Sequence, residues 1–138
     1  MVPRLCSWAW LTAGLTVLGL MASMAATRQP PATDTRFPDV LSATVRSSGA
    51  DRFDFDVTVS SPYDTPRRYA DGFRVMQLSG AVLGERTLRH DHQAEQPFTR
   101  DLYGVKIPAG VRMVRIQARD QKHGYGGRSI ELPLPGRP

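Results

Sequence analysis

Apolar and polar residues alternate along most of the chain from residue 41 onward. The alternation is clearest at 53–59, where Phe, Phe, Val and Val are separated by Asp, Asp and Thr. Because successive side chains of a strand point to opposite faces, this stretch predicts a half-buried strand. Comparable stretches, separated by turn-forming residues, predict seven strands in all, at 41–46, 53–59, 73–78, 82–88, 98–103, 111–119 and 128–134.

Seven short strands without helical periodicity predict an all-β fold. The expected architecture is a single antiparallel β-sandwich, immunoglobulin-like or fibronectin-III-like. The Cys-Trp-Cys pattern of antibody domains is absent, because the chain has one cysteine, Cys6. We expect this domain to occupy residues 40–138, after an extended linker at 27–39 that contains three prolines.

Residues 1–26 have the organisation of a signal peptide. Arg4 supplies a positive charge, residues 5–21 are mostly apolar, and small residues favour cleavage after Ala25 or Ala26. We therefore expect a periplasmic or secreted protein with no stable membrane insertion after cleavage. An uncleaved N-terminal anchor is the alternative, since the apolar run is long for a signal peptide. Cys6 would leave with the signal, so the mature domain would have no disulfide and no thiolate ligand.

The charge pattern argues against a nucleic-acid partner. The formal net charge is +5, but the longest basic run is Arg67-Arg68, whereas a nucleic-acid surface normally needs clustered cations. The chain also has no nucleophile elbow, phosphate-binding loop, dinucleotide fingerprint or zinc-protease motif. We therefore expect a binding protein and not an enzyme.

The three histidines suggest a metal site. Consecutive strands of an antiparallel sandwich alternate in direction, so the loops at 61–72, 89–96 and 120–127 should share one end. Imidazoles suit copper or zinc, and residues i and i+2 of an extended chain point the same way. The predicted ligands are His90, His92 and His123, with Asp91, Glu95 and Asp120 as further ligands or as acceptors for the ring N–H groups.

Two readings without a metal remain open. Tyr63, Tyr69 and Tyr125 lie in or beside the same loops and could hold a glycan or an envelope protein, because tyrosine offers a large apolar ring and a polar tip. A structural or assembly domain that uses its sheet edges is the other alternative.

One pair of segments carries a family resemblance. Glu95-Gln-Pro-Phe-Thr-Arg100 after a His-x-His, followed later by His123-Gly-Tyr-Gly-Gly127, resembles a group of small exported bacterial proteins of uncharacterised function. The resemblance covers most of the mature chain. It implies the sandwich fold and an envelope location, and it brings no activity, cofactor or site residue.

Overall fold

A computed structural model describes residues 35–138 of the protein. These residues form eight strands and no helix, so no described segment could cross a membrane as a helix. The predicted signal peptide and most of the predicted linker lie outside this range, and the division of the chain into segments stays a prediction. The strands are β1 (Asp39–Gly49), β2 (Arg52–Ser60), β3 (Ala70–Gln77), β4 (Val82–Thr87), β5 (Phe98–Lys106), β6 (Met113–Asp120), β7 (Gly124–Tyr125) and β8 (Ile130–Pro133).

The strands form two antiparallel sheets packed face to face. The smaller sheet has the order β1-β2-β5. The larger has the order β4-β3-β6, and both β7 and β8 pair with the free side of β6. The predicted all-β sandwich is therefore confirmed. β4 pairs with β3, which is the position of the extra strand in variable-type immunoglobulin domains and not that of the fourth strand in constant-type domains.

The core lies between the sheets and follows the alternation in the sequence. In β2, Phe53, Phe55, Val57 and Val59 are buried while the residues between them are partly exposed. Removing this apolar surface from water is the main stabilising term of the fold. The opposite wall comes from β3 and β6, with buried Phe73, Val75, Val114, Ile116 and Ala118.

On one side of the sandwich, called the open side below, the edge strands β4 and β5 of the two sheets do not pair with each other. β4 pairs only with β3 and β5 only with β2, so both strands are sheet edges. They approach closely at Gly84, where an added Cβ would lie 3.2 Å from both methyl carbons of Val105. A glycine at this position therefore lets the two edges meet over the core. The open side continues toward the loop that joins β4 to β5.

The predicted strands differ from the observed ones mainly at their ends. β1 extends to Gly49 and β5 to Lys106, beyond the apolar alternation. The two-residue strand β7 lies inside the segment that was predicted as a loop at 120–127. It forms because Gly124 and Tyr125 pair with the end of β6, a tertiary contact that no local pattern announces.

Candidate metal centre in the loop between β4 and β5

The three predicted loops do meet at one end of the sandwich. The backbone N–H of His92 donates to Oδ2 of Asp64 at 3.0 Å, which joins the β4–β5 loop to the β2–β3 loop. Arg68 in the β2–β3 loop donates from Nε to Oδ2 of Asp120, at the end of β6, at 3.1 Å. The parity argument from strand direction therefore placed these loops correctly, with the β2–β3 loop between the other two.

Asp64 holds the histidine loop in place. Its side chain is fully buried and accepts the backbone N–H groups of Ala70 and His92, each at 3.0 Å. Two such charge-assisted bonds stabilise a carboxylate that would otherwise be costly to bury. Gln96 adds a second attachment, because its Oε1 accepts the N–H of Ser61 at 2.7 Å and its Nε2 donates to the His92 carbonyl at 3.2 Å. The loop is thus fixed before any ligand arrives.

His92 is a buried imidazole with no hydrogen bond to its ring. Only 2% of the residue is exposed, and its ring stacks on Phe98 with centroids 3.9 Å apart. Nδ1 and Nε2 both lack a hydrogen-bond partner among the described residues. Burial, with the positive charge of Arg100 and the neighbouring His90, lowers the pKa of His92. The ring is therefore neutral at neutral pH and keeps a lone pair available to a metal.

His90, His92 and Glu95 form a cluster of candidate metal ligands, called the ligand cluster below. One donor atom of each lies within 4.8 Å of the other two, and the ring centroids of the two histidines are 4.7 Å apart. His90 and Glu95 are exposed, so the cluster opens to solvent on one side. Glu95 also accepts a hydrogen bond from Nη2 of Arg100 at 2.7 Å, through Oε1. This arrangement of two imidazoles and one carboxylate is a known set for zinc and for other transition ions.

The structure does not bring His123 to this cluster. His123 lies in the turn after β6, and its backbone N–H donates to Oδ1 of Asp120 at 2.7 Å. Its ring is exposed and contacts the edge of Phe37, with centroids 6.2 Å apart. The expected set of three histidines is therefore replaced by two histidines and a glutamate.

Asp120 has a structural position. It is fully buried and accepts the N–H groups of both Lys122 and His123 besides the guanidinium of Arg68. Burial works against the charged form, but the hydrogen bonds and Arg68 outweigh it and lower the pKa of Asp120. Two of these contacts lie within the turn, and the third joins it to the β2–β3 loop through Arg68. Asp91 is likewise outside the cluster; its Oδ2 accepts the N–H of Gln93 at 3.4 Å.

The three tyrosines occupy different surroundings. Tyr63 is half-buried beneath the guanidinium of Arg68, and burial with the neighbouring Asp120 raises its pKa. Tyr125 lies under Arg74 and donates its hydroxyl to Glu85 at 2.8 Å; burial and Glu85 raise its pKa to about 12. Tyr69 is partly buried, and its carbonyl accepts the N–H of Gln121. Tyr63 is the one of the three that lines a described cavity.

Sequence reasoning missed two parts of this site. Asp64 gave no signal as an anchor, because its partner His92 is 28 residues away in the chain. The other part is a cavity of about 520 Å³ beside the cluster. A signal for it existed, since three arginines flank the histidines within 15 residues. The cavity is lined by Glu85, Arg86, Thr87, Leu88, Arg89, His90, His92, Arg100 and Leu102.

Comparison with known proteins gives two similarities. The chain is 37% identical over 97 residues to a Halomicrobium mukohataei protein named "Putative lipoprotein". The aligned region covers 70% of this chain and 47% of that protein. The chain is also 29% identical over 99 residues to mouse (Mus musculus) Protocadherin Fat 2. That aligned region covers 58% of this chain and 2% of the mouse protein. The chain thus spans about half the length of the first relative. Cadherin domains share the sandwich architecture, in agreement with the observed fold.

No family model matches the chain. No solved structure matches it either. The two similarities fit a small exported β-sandwich.

Proposed function

We propose that this protein is an accessory module of the cell envelope that binds one transition-metal ion, zinc or copper, through His90, His92 and Glu95. The observation that carries the proposal is the state of His92. A buried imidazole without hydrogen bonds costs free energy, and a metal ion would give one ring nitrogen a partner. The proposed role is binding and not catalysis.

The spacing of the cluster suits this role. Donor atoms bound tetrahedrally to one zinc ion at about 2.0–2.2 Å lie about 3.3–3.6 Å from one another. The observed limit of 4.8 Å therefore requires the donor atoms to approach by about 1 Å. The exposed side chains of His90 and Glu95 can supply most of that closure by rotating.

Asp64 gives the site an outer partner. Its Oδ2 lies 3.9 Å from Nδ1 of His92, beyond hydrogen-bond length. A movement of about 1 Å would let Nδ1–H donate to this carboxylate and would leave Nε2 as the ligand atom. Carboxylate partners of this kind fix the tautomer and orientation of metal-bound histidines. Three protein ligands also leave one coordination position open.

An envelope location is supported from two directions. The name of the Halomicrobium relative describes a lipoprotein. The N-terminal sequence of this chain has the charge and hydrophobicity of an export signal. In such a compartment, a domain without cysteine depends on histidine, methionine and oxygen ligands for any metal.

A metal-free interaction module is the second candidate, and a separate cavity favours it. This cavity of about 590 Å³ is lined in part by Phe37, Leu41, Pro62 and Tyr63. Aromatic and apolar walls of this kind suit a glycan or a peptide side chain. Binding there would be sensitive to Tyr63 and indifferent to the histidines.

Calorimetric titration of the untagged protein with Zn(II) and Cu(II) tests the metal proposal. We expect one-to-one binding at micromolar affinity or tighter, weakened by about tenfold or more in His90→Ala and in Glu95→Gln, because each removes one ligand. His123→Ala is the matched control and should bind like the unchanged protein. Equal losses in all three variants, or no saturable binding at all, would overturn the proposal.

A further inference from the structure

The cavity beside the metal cluster lies on the open side of the sandwich. Its walls come from β4, from the loop that follows it and from β5. Since β4 and β5 are sheet edges and do not pair with each other, this groove is built into the topology. Its volume of about 520 Å³ is within the range of small-molecule sites, about 300–1,000 Å³.

Arginine dominates the charge of this cavity. Arg86 comes from β4, Arg89 from the loop and Arg100 from β5. Arg89 makes no hydrogen bond or ion pair to any residue in 35–138, and the ion pair of Arg86 with Asp101 is long, at 3.7 Å.

Acidic side chains offset part of this charge. Glu85 lines the cavity with its carboxylate, which accepts the hydroxyl of Tyr125 at 2.8 Å. Glu95 pairs with Arg100, and Asp101 pairs at a longer distance with Arg86. Arg89 is the arginine of the lining without an acidic partner in 35–138, so the positive potential is local to its side chain.

Hydrogen-bonding capacity is also left unused here. Six buried side-chain polar atoms of the described residues lack a partner, and three of them belong to Arg86 and His92. They are Nε of Arg86 and both ring nitrogens of His92, and both residues line the cavity. Neutral His92 offers one N–H donor and arginine offers only donors. The unused atoms therefore favour a ligand that accepts hydrogen bonds.

We propose that this cavity binds an oxyanion, a phosphate or carboxylate group of a small molecule, through Arg86, Arg89 and His92. Guanidinium groups match the oxygens of both ligand types in charge and geometry. The apolar side of the cavity at Leu88 and Leu102 would contact the remainder of the molecule. The inference needs no metal, since its donors are protein groups. With a metal on Nε2 and Nδ1–H turned to Asp64, His92 would have no N–H left for the anion, so the site with all three groups is that of the metal-free protein.

The test is a titration of metal-free protein, stripped on a chelating resin, with inorganic phosphate and with citrate at constant ionic strength in chloride. We expect saturable one-to-one binding of phosphate, of citrate or of both, measured by calorimetry or by NMR shifts of the β4–β5 loop. Arg89→Gln should weaken it by about tenfold or more, the usual effect of losing a charge-assisted hydrogen bond. Citrate without phosphate would identify a carboxylate site, and the reverse a phosphate site.

Arg112→Gln is the matched control. Arg112 is exposed, its side chain has no partner in 35–138, and it lies beside the β3–β4 turn at another cavity. Equal weakening in both variants would indicate general charge attraction and would overturn the inference. So would the absence of saturable binding with and without zinc. Oxyanion binding in a protein that fails to bind zinc would sustain this inference and reject the metal proposal; zinc binding without oxyanion binding would do the opposite.

Discussion

Two loops at the same end of the sandwich each have a histidine whose backbone N–H donates to a buried aspartate, yet they differ in which polar groups they leave unpaired. Asp64 accepts the backbone N–H of His92, and Asp120 accepts that of His123. Both carboxylates therefore order a histidine-bearing segment by the same physical means. The aspartate orders each loop, and the other side chains of the loop determine whether it can bind a ligand.

In the turn at Asp120, the buried carboxylate has partners within the protein. The carboxylate is paired with Arg68, and the ring of His123 is in solvent against Phe37. The histidine loop held by Asp64 differs, because within residues 35–138 the buried His92 ring has no hydrogen bond, and its Nδ1 lies 3.9 Å from Oδ2 of Asp64. A polar group that folding buries and leaves unpaired needs an explanation, and a bound ligand would supply the missing partner. The difference between the loops supports a functional assignment to the β4–β5 loop.

The largest effect should come from Asp120→Ala. The change removes an ion pair and two backbone hydrogen bonds from a fully buried carboxylate. We expect a loss of about 3 kcal/mol in the free energy of unfolding, at the low end for a buried pair because Arg68 is partly exposed. Urea denaturation measures it, and zinc affinity should stay unchanged. A loss of metal binding in the folded variant would contradict the separation of the two loops.

Asp64→Asn should instead act on the affinity for zinc. The amide keeps an oxygen that can accept one backbone N–H but loses the negative charge opposite His92. We expect zinc affinity to fall by about 10- to 100-fold, the usual cost of removing a carboxylate behind a metal-bound histidine. Calorimetry at fixed pH measures the change. Asp120→Asn is the matched control, and an equal decrease there would mean that Asp64 has no special relation to the metal.

A smaller effect is expected on the pH dependence of the free energy of unfolding, which should involve His92 and not His123. Burial lowers the pKa of His92 below its ordinary value of 6.5, so the unfolded chain binds a proton more readily than the folded one. Metal-free protein should therefore lose stability as the pH falls below 6.5, by up to about 1.4 kcal/mol per pH unit. The loss should end once the pH is below the lowered pKa of the folded state.

His92→Phe should remove this part of the pH dependence, because phenylalanine keeps the stacking on Phe98 without a titrating group. His123→Ala should retain it, since the His123 ring is exposed. Urea denaturation between pH 5 and 8 compares the variants with the unchanged metal-free protein. An unaltered pH dependence in His92→Phe would show that the buried ring does not titrate as described.

The sequence predicted the architecture because strand alternation is a local signal. The spacing of Phe53, Phe55, Val57 and Val59 identified β2 and its buried face, and strand parity then placed three loops at one end. It also anticipated that His90 and His92 would come together. Parity fixes which end a loop occupies and not its position across that end, where packed sheets are about 10 Å apart. The contacts of His123 with Asp120 and Phe37 are therefore not readable from the sequence.

The unpaired groups were also beyond sequence reasoning. Whether the His92 ring has a hydrogen bond depends on Asp64 and Phe98, which reach it from other parts of the chain. The arginines of the open side were visible as residues, but their common cavity follows from the placement of β4 and β5 at sheet edges.

Anomalous diffraction at the zinc edge from crystals of the zinc-loaded protein would locate the ion and its ligands. We expect one ion bonded to His90, His92 and Glu95 at about 2.0–2.2 Å, with Nδ1 of His92 moved to hydrogen-bond distance of Asp64. An ion bound through His123, or only through exposed side chains while the His92 ring stays unbonded, would contradict the metal proposal.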